Sequence, residues 1–579
     1  MKLELQKGSR SRILAGFIFA IVGIFIIRLF YLQIIQHNYY VGLADNEQIK
    51  SLTIYAKRGL IYGLEGSTPV PLVLNQTVYT VTADPYTVSD DTKVIDLIEQ
   101  VAGGNAQPNL SALLGNKESR YAVLAKGLTT VQAQKLKDAN FPGIELQQTT
   151  QRVYPEGTLA AQALGFVDYD GNGQYGVEGE LNSQLAGTNG LLKTVTDVSD
   201  VPLTIGDKNI NKPAVDGKNV VLSIDRAVQS HVEQALVDGL KRNGGDHASA
   251  VVMDPATGKV LAMANVPTFD PANYSKVQDA ADFNNPVVSA PYEPGSDMKT
   301  LTMAVGIDKG VVTPTTTYSN LGYIDIDGIR VLNGVGLGHL GNITLQTAMN
   351  NSLNSGFITV AEKLGDGTNI TLQARDTMYD YFYNKFKLGQ VTGIEVSGEL
   401  PGTIIPPTDP QGNAVRYSNM AFGQGLDVTM IQVASAFSSI VDGGLYHKPT
   451  VIAGSMDANG NYIPNQTSTP TRSVSQSTAD QVREMTHVAR DSLFANVDRP
   501  GYEVGGKTGT SQTLINGNYD NNQTVGTYLG YGGDSSPKYV IMIQVSGKNK
   551  TLEGGRDAEP IFADISNWLI NYLQLQPKG

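Results

Sequence analysis

The chain has 579 residues, too many for one ordinary hydrophobic core, so two or more domains are expected. Its 55 acidic and 43 basic residues leave a net charge of −12, which argues against a nucleic-acid partner. Cysteine is absent, excluding disulfides, thiol catalysis and zinc–thiolate centres, and the six histidines stand singly, without metal-ligand spacing.

In chain order, the first element is an apolar run from Ile13 to Ile27, interrupted by Arg28 and resumed to Ile35. As a helix, residues 13–35 would span roughly 34 Å at ~1.5 Å per residue, enough to cross a bilayer, with Arg28 reaching toward the headgroups. Lys2, Lys7, Arg10 and Arg12 favour a cytoplasmic tail over residues 1–12. The bulky exit Arg28–Ile35 offers no small-residue cleavage site, so an uncleaved single-span anchor is expected, with everything after about residue 36 outside.

Beyond it, Thr77–Ala83 reads as a strand, and Val94–Ala102 and Val131–Asn140 as helices. Tyr154–Gly157 and Asp168–Gly173 read as turns. A polar stretch at about Val198–Gly217 suggests a boundary between an N-terminal module, 36–215, and a second domain, 216–579. There, strand-like Val220–Ile224 precedes a hairpin of Ala248–Met253 and Lys259–Met263; Gln523–Tyr531 and Tyr539–Val545 look like adjacent strands near the end. Strands at both ends with helices between predict an α+β domain whose sheet joins its termini.

Three short motifs carry the chemistry. Ser296-Asp297-Met298-Lys299 pairs a hydroxyl with an amine one helical turn away, so Lys299 can reach Ser296, and a helix start points N–H groups at an anion formed there. Ser-x-x-Lys alone is weak: about two are expected by chance at average usage, and Ser535-Ser536-Pro537-Lys538 is a decoy leading straight into a strand. Ser352-Leu353-Asn354 adds a hydroxyl and an amide. Lys507-Thr508-Gly509-Thr510, following Gly505-Gly506, would offer a carboxylate one cation and two hydroxyls from an edge strand, with Gly509 leaving room for a substrate backbone. In this order they make an acyl-transfer site without histidine. Two other patterns are discounted. Asp168-x-Asp170-x-Asn172 imitates a calcium loop but ends on Gly179, and Glu178 imitates a β-lactamase deacylating residue but lies upstream of Ser296.

With these motifs the chain resembles the class B penicillin-binding proteins, the monofunctional peptidoglycan D,D-transpeptidases. The resemblance extends to Arg58-Gly59-Leu60-Ile61, Arg152-Val153-Tyr154-Pro155-Glu156-Gly157, Gly176-Val177-Glu178 with Asn182, Glu293-Pro294-Gly295-Ser296, Thr392-Gly393-Ile394-Glu395 with Gly398-Glu399, and Phe422-Gly423-Gln424-Gly425. Gly63 and Leu64 stand where the family has an Asp-Arg pair. The resemblance implies one transmembrane helix, an elongated β-rich pedestal of the dimerisation type, and a serine transpeptidase domain of β-lactamase-like fold, its antiparallel sheet flanked by helices. It assigns Ser296 as nucleophile attacking D-Ala-D-Ala stem peptides, Lys299 as base, Ser352 and Asn354 as proton relay and orienting groups, and Lys507, Thr508, Gly509 and Thr510 as the carboxylate site. The N–H groups of Ser296 and Thr510 form its oxyanion hole. β-Lactams are expected to acylate Ser296, no metal or organic cofactor is implied, and a SEDS-type glycosyltransferase and other division proteins are the expected membrane partners. Phe422–Gly425 resembles the septal branch. An idle division scaffold, an elongation-type enzyme and a D,D-carboxypeptidase are the alternatives.

Overall fold

In the computed structural model, residues 9–40, 49–195, 210–334, 340–515 and 518–578 are described; Lys2, Lys7 and residues 198–209 of the expected boundary lie outside them. With neither proline nor an acidic residue to break or charge it, the first apolar run forms helix α1, Ser9–Phe30, and continues as a π-helical turn, Tyr31–Ile35. Residues 10–35 are long and apolar enough to cross a bilayer, with a mean hydropathy of 2.7, and none of that stretch is buried in protein.

By packing, the chain falls into two units, residues 1–58 with 186–217, and residues 59–185 with 218–579. In addition to α1, the first holds an antiparallel three-stranded sheet in which Gly190–Val195 pairs with both Ile49–Ile54 and Ile210–Lys212.

The second unit contains two large sheets. In one, β1 (Ile61–Glu65) pairs antiparallel with the long β2 (Thr68–Ala83), which also pairs with β3 (Ala122–Leu128) and β4 (Ile144–Val153). On its other side β1 runs parallel to β5 (Asn219–Asp225), so the strand expected at Val220–Ile224 belongs here and not to the sheet that joins the two ends of the domain. Gly63 fits this junction: a Cβ there would lie 2.8 Å from Leu72 Cδ1 and 2.9 Å from the Ile224 carbonyl oxygen. A buried ion pair fastens the region. Arg152 donates to Glu178 at 2.8 Å, to Asn75 Oδ1 at 2.7 Å and to the Gly59 carbonyl at 2.7 Å. The Glu178 side chain has no exposed surface, so it is a structural anion joining three of the sequence motifs. Asp168 is consumed locally, accepting from the Asp170 and Asn172 N–H groups and from Gln174, inside a small hairpin.

The second sheet carries the site. Asp225 caps α2 (Arg226–Asn243) by accepting from the Ala227 and Val228 N–H groups. Then come β6 (His247–Met253) and β7 (Val260–Val266), helix α3 (Met298–Asp308), helix α4 (Asn354–Leu364), helix α5 (Met430–Val441) and helix α6 (Gln476–Phe494). Last come β9 (Glu503–Ile515), β10 (Asn518–Gly533), β11 (Pro537–Ser546) and helix α7 (Glu559–Tyr572), with β8 (Ile452–Met456) lying back on β5. The antiparallel order is β7-β6-β11-β10-β9, joining strands from both ends of the domain as the sequence predicts. Successive side chains alternate between faces. Ala250, Val252, Ile541 and Ile543 join a core with Val232, Leu236, Phe562 and Leu569 of α2 and α7. Val251, Met253, Val540 and Met542 face the opposite core, with Met303, Ile431 and Phe437 of α3 and α5. Both faces are covered, which is why β6 and β11 are nearly continuous apolar runs.

Candidate active site

Ser296 sits in a tight 3₁₀ turn, Gly295–Asp297, that feeds the buried helix α3. Packing on both sides fixes the turn. Gly295 has φ +57°, and a Cβ there would lie 2.9 Å from the Thr510 carbonyl oxygen of β9. On the other side, Gly295 N–H donates to the Gly423 carbonyl at 2.9 Å, and a Cβ on Gly423 (φ +90°) would fall 1.9 Å from the Gly295 oxygen. Glu293 accepts from the Gly425 N–H at 2.6 Å and from the Tyr519 hydroxyl at 3.0 Å. The Glu293–Ser296 and Phe422–Gly425 motifs are therefore one packed unit.

Four of the expected functional side chains meet at a single atom, Ser352 Oγ. It lies 2.9 Å from Ser296 Oγ, 3.1 Å from Lys299 Nζ and 2.9 Å from Lys507 Nζ. Lys299 Nζ also donates to the Ser352 carbonyl at 2.7 Å and to Asn354 Oδ1 at 2.8 Å. Ser296 and Lys299 share no hydrogen bond of their own; Ser352 stands between them. Ser352 has φ +53°, a left-handed backbone that costs about 1–2 kcal/mol for a residue with a Cβ. That conformation lets its carbonyl and hydroxyl both face Lys299. Asn354 opens α4 and is held through Nδ2 by the Leu332 carbonyl at 3.0 Å.

Strand β9 is the edge of its sheet, and its side chains alternate. Lys507 and Gly509 point inward and are buried, whereas Thr508 is half-buried and Thr510 exposed. Lys507 Nζ reaches back to the Thr508 carbonyl at 3.0 Å and hydroxyl at 3.3 Å, and Thr510 Oγ1 accepts from Gly554 N–H at 3.2 Å. The space left by Gly509 is filled from below: a Cβ would stand 2.1 Å from Thr527 Oγ1 and 2.9 Å from both Asp297 oxygens.

Electrostatics follow from burial. Burial, and then the neighbouring Lys507 ammonium, hold Lys299 well below the usual lysine range. Burial lowers Lys507 to about 8, opposed by the Asp297 carboxylate. Lys299 Nζ has three acceptors around it, the Ser352 carbonyl, Asn354 Oδ1 and Ser352 Oγ; a neutral Lys299 would keep its two hydrogens on the first two and turn its lone pair to Ser352 Oγ. The arrangement can take a proton from Ser296 through Ser352 and hold an anion beside Lys507. Asp297 and Thr527 were not singled out as functional by the sequence; nothing local in Ser-Asp-Met-Lys marks its second residue as buried. The decoy Ser535–Lys538 is the turn between β10 and β11, where Lys538 lies 3.8 Å from Asp534.

A model of the penicillin-binding protein transpeptidase domain matches residues 248–567, and one of the penicillin-binding protein dimerisation domain matches residues 53–222. Penicillin-binding protein PbpB of Mycobacterium tuberculosis is 32% identical over 82% of this chain and 70% of its own length. Peptidoglycan D,D-transpeptidase FtsI of Escherichia coli is 26% identical over 98% of this chain and 92% of its own. The crystal structure of penicillin-binding protein 3 from Mycobacterium tuberculosis complexed with aztreonam superposes with a TM-score of 0.68 at 26% identity, covering 91% of this chain and 98% of that one. From the Ser296 turn to the Lys507 strand, then, the chain belongs to the penicillin-binding proteins of class B and carries their transpeptidase domain.

Proposed function

We propose that Ser296 is the nucleophile of a peptidoglycan D,D-transpeptidase, and that its proton leaves for Lys299 through Ser352. The observation that carries this reading is the convergence of Ser296, Lys299 and Lys507 on Ser352 Oγ, at 2.9, 3.1 and 2.9 Å. Ser296 Oγ attacks the penultimate D-Ala carbonyl of a stem peptide. The resulting oxyanion is held by the Ser296 and Thr510 N–H groups, a type of contact worth about 3 kcal/mol per donor. Collapse breaks the amide bond, and the departing amine of the terminal D-Ala takes its proton from Lys299 by way of Ser352. Asn354 orients Lys299. Lys507, Thr508 and Thr510 hold the terminal carboxylate, and Gly509 keeps the strand flat over Asp297 and Thr527. An amine of a second stem peptide then attacks the ester and completes the cross-link, releasing Ser296. β-Lactams enter by the same first step.

Residues 13–35 anchor the chain with residues 1–12 in the cytoplasm, 36–215 form the pedestal and 216–579 the extracytoplasmic enzyme. The chain works in the division septum beside a SEDS-type glycosyltransferase, since none of its motifs polymerises glycan. The test is intact-protein mass spectrometry of the full chain in detergent after incubation with a penicillin. A one-to-one adduct on the wild type and none on Ser296→Ala is expected. Rapid drug turnover without an adduct, or an adduct retained by Ser296→Ala, overturns the assignment.

A further inference from the structure

The mechanism above gives Asp297 no task, although it is the residue next to the nucleophile and its side chain is completely buried. It lies beneath β9, where a Cβ on Gly509 would come within 2.9 Å of both its oxygens. Oδ2 accepts from Thr527 Oγ1 at 2.7 Å, while Oδ1 has no hydrogen-bond partner. A buried carboxyl left half-satisfied is costly and calls for a compensating role. The titratable groups facing it are Lys507 on β9, Lys299 on α3 and Tyr292 ahead of the turn.

The two lysines are not placed alike. Lys507 and Gly509 share the inward face of β9, so the Lys507 stem lies on the same side of the strand as Asp297. Lys299 is two residues on from Asp297 around the start of α3, and residues so spaced do not face each other. Its amine is drawn away to the Ser352 carbonyl and Asn354 Oδ1. Two ammonium groups bound to one hydroxyl in a buried site repel, and relieving that repulsion takes one proton from the pair. Which lysine keeps its proton is decided by which has the anion on its side.

Resting on the Ser296 reading, we propose that Asp297 is the counter-ion of this two-lysine cluster: its carboxylate keeps Lys507 charged for the substrate carboxylate and so leaves Lys299 to be the neutral base. Asp297 is thus a positioning residue that acts through the lysines. Burial raises its pKa to about 7, against the pull of the Thr527 bond and the lysines, so it ionises within the working range.

Removing the negative charge lowers the pKa of both lysines, so both limbs of the acylation profile move to lower pH. In the full chain in detergent, the rate of penicillin acylation of wild type and Asp297→Asn is measured from pH 5 to 10. Asparagine keeps the shape and an acceptor for Thr527. The expected result is a bell displaced downward by about one pH unit, so that at pH 9, with each rate normalised to that protein's own optimum, the variant acylates roughly tenfold more slowly than the wild type. Thr527→Val removes the bond that helps ionise Asp297. It should give a smaller shift in the same direction, and it carries the test if Asp297→Asn does not fold. Uniformly slower acylation at unchanged midpoints would assign Asp297 a packing role only and overturn the proposal. A wild type that penicillin does not acylate would instead overturn the Ser296 reading, and this inference with it.

Discussion

Lys299 and Lys507 are chemically the same residue, yet the site asks one to lose a proton and the other to keep it. Burial lowers both and Asp297 opposes the fall of each, so the difference between them comes from the repulsion that Lys507 adds to Lys299 and from the side of β9 on which Asp297 lies. A protonated Lys299 cannot accept the Ser296 proton, so acylation is expected to fall as pH drops through its depressed pKa, and Lys507 losing its charge sets the upper limit. Lys299→Ala should slow acylation by about 10²–10⁴-fold, the range for removing a general base, and an unchanged rate in stopped-flow would discard Lys299 as the base. Lys507→Ala should chiefly weaken ligands that carry a carboxylate, raising the concentration needed for half-maximal acylation more than it lowers the limiting rate. Ser352 is the third member: its left-handed backbone is a local cost accepted so that one residue serves two lysines.

At the scale of elements, the turn that holds Ser296, the proposed nucleophile, depends on the close approach of neighbouring backbones. The Gly295 turn lies between β9 and the loop at Gly423, and neither glycine has space for a side chain: a Cβ on Gly295 would meet Thr510, and one on Gly423 would meet Gly295. Gly423→Ala would meet both a clash at 1.9 Å and an unfavourable φ of +90°, so the turn must move. Loss of most acylation is expected, with circular dichroism showing the helices and sheet retained; full acylation by Gly423→Ala would show that the loop is not what fixes the turn. The same reasoning explains Gly509. In the sequence it reads as room for a ligand, whereas in the fold its missing Cβ is what lets β9 lie on Asp297 and Thr527. Sequence periodicity predicted β6, β7, β10 and β11 because their alternation and apolar runs are local properties. It could not place Asn219–Asp225 on a different sheet, since a short apolar strand carries no mark of its partner.

At the scale of the whole molecule, the unit of residues 59–185 and 218–579 is fastened by buried charges that join distant segments. Arg152 links β4 to Glu178, Asn75 and Gly59. Near the other end of the chain, Arg490 of α6 bonds Asp498 at 2.7 Å, Glu559 of α7 at 2.8 Å and the Tyr528 hydroxyl of β10. Arg152→Ala leaves Glu178 buried without this partner and should cost about 3–5 kcal/mol, read as a lowered denaturation midpoint; an unchanged midpoint would show that Glu178 finds other compensation.

What the sequence by itself determined is what short-range chemistry encodes: an apolar run long enough for a bilayer, strands with both faces apolar, and three motifs whose residue types suit serine acyl transfer without histidine or metal. What only the tertiary structure decided is who meets whom. Ser296, Ser352 and Lys507 are separated by 56 and 155 residues in the chain and share one hydroxyl in the fold. The burial of Asp297, the strained backbone of Ser352 and the purpose of Gly509 arise only when β9, α3 and the start of α4 pack together. Burial and charge proximity are properties of that packing, and they set the protonation states on which the reaction depends.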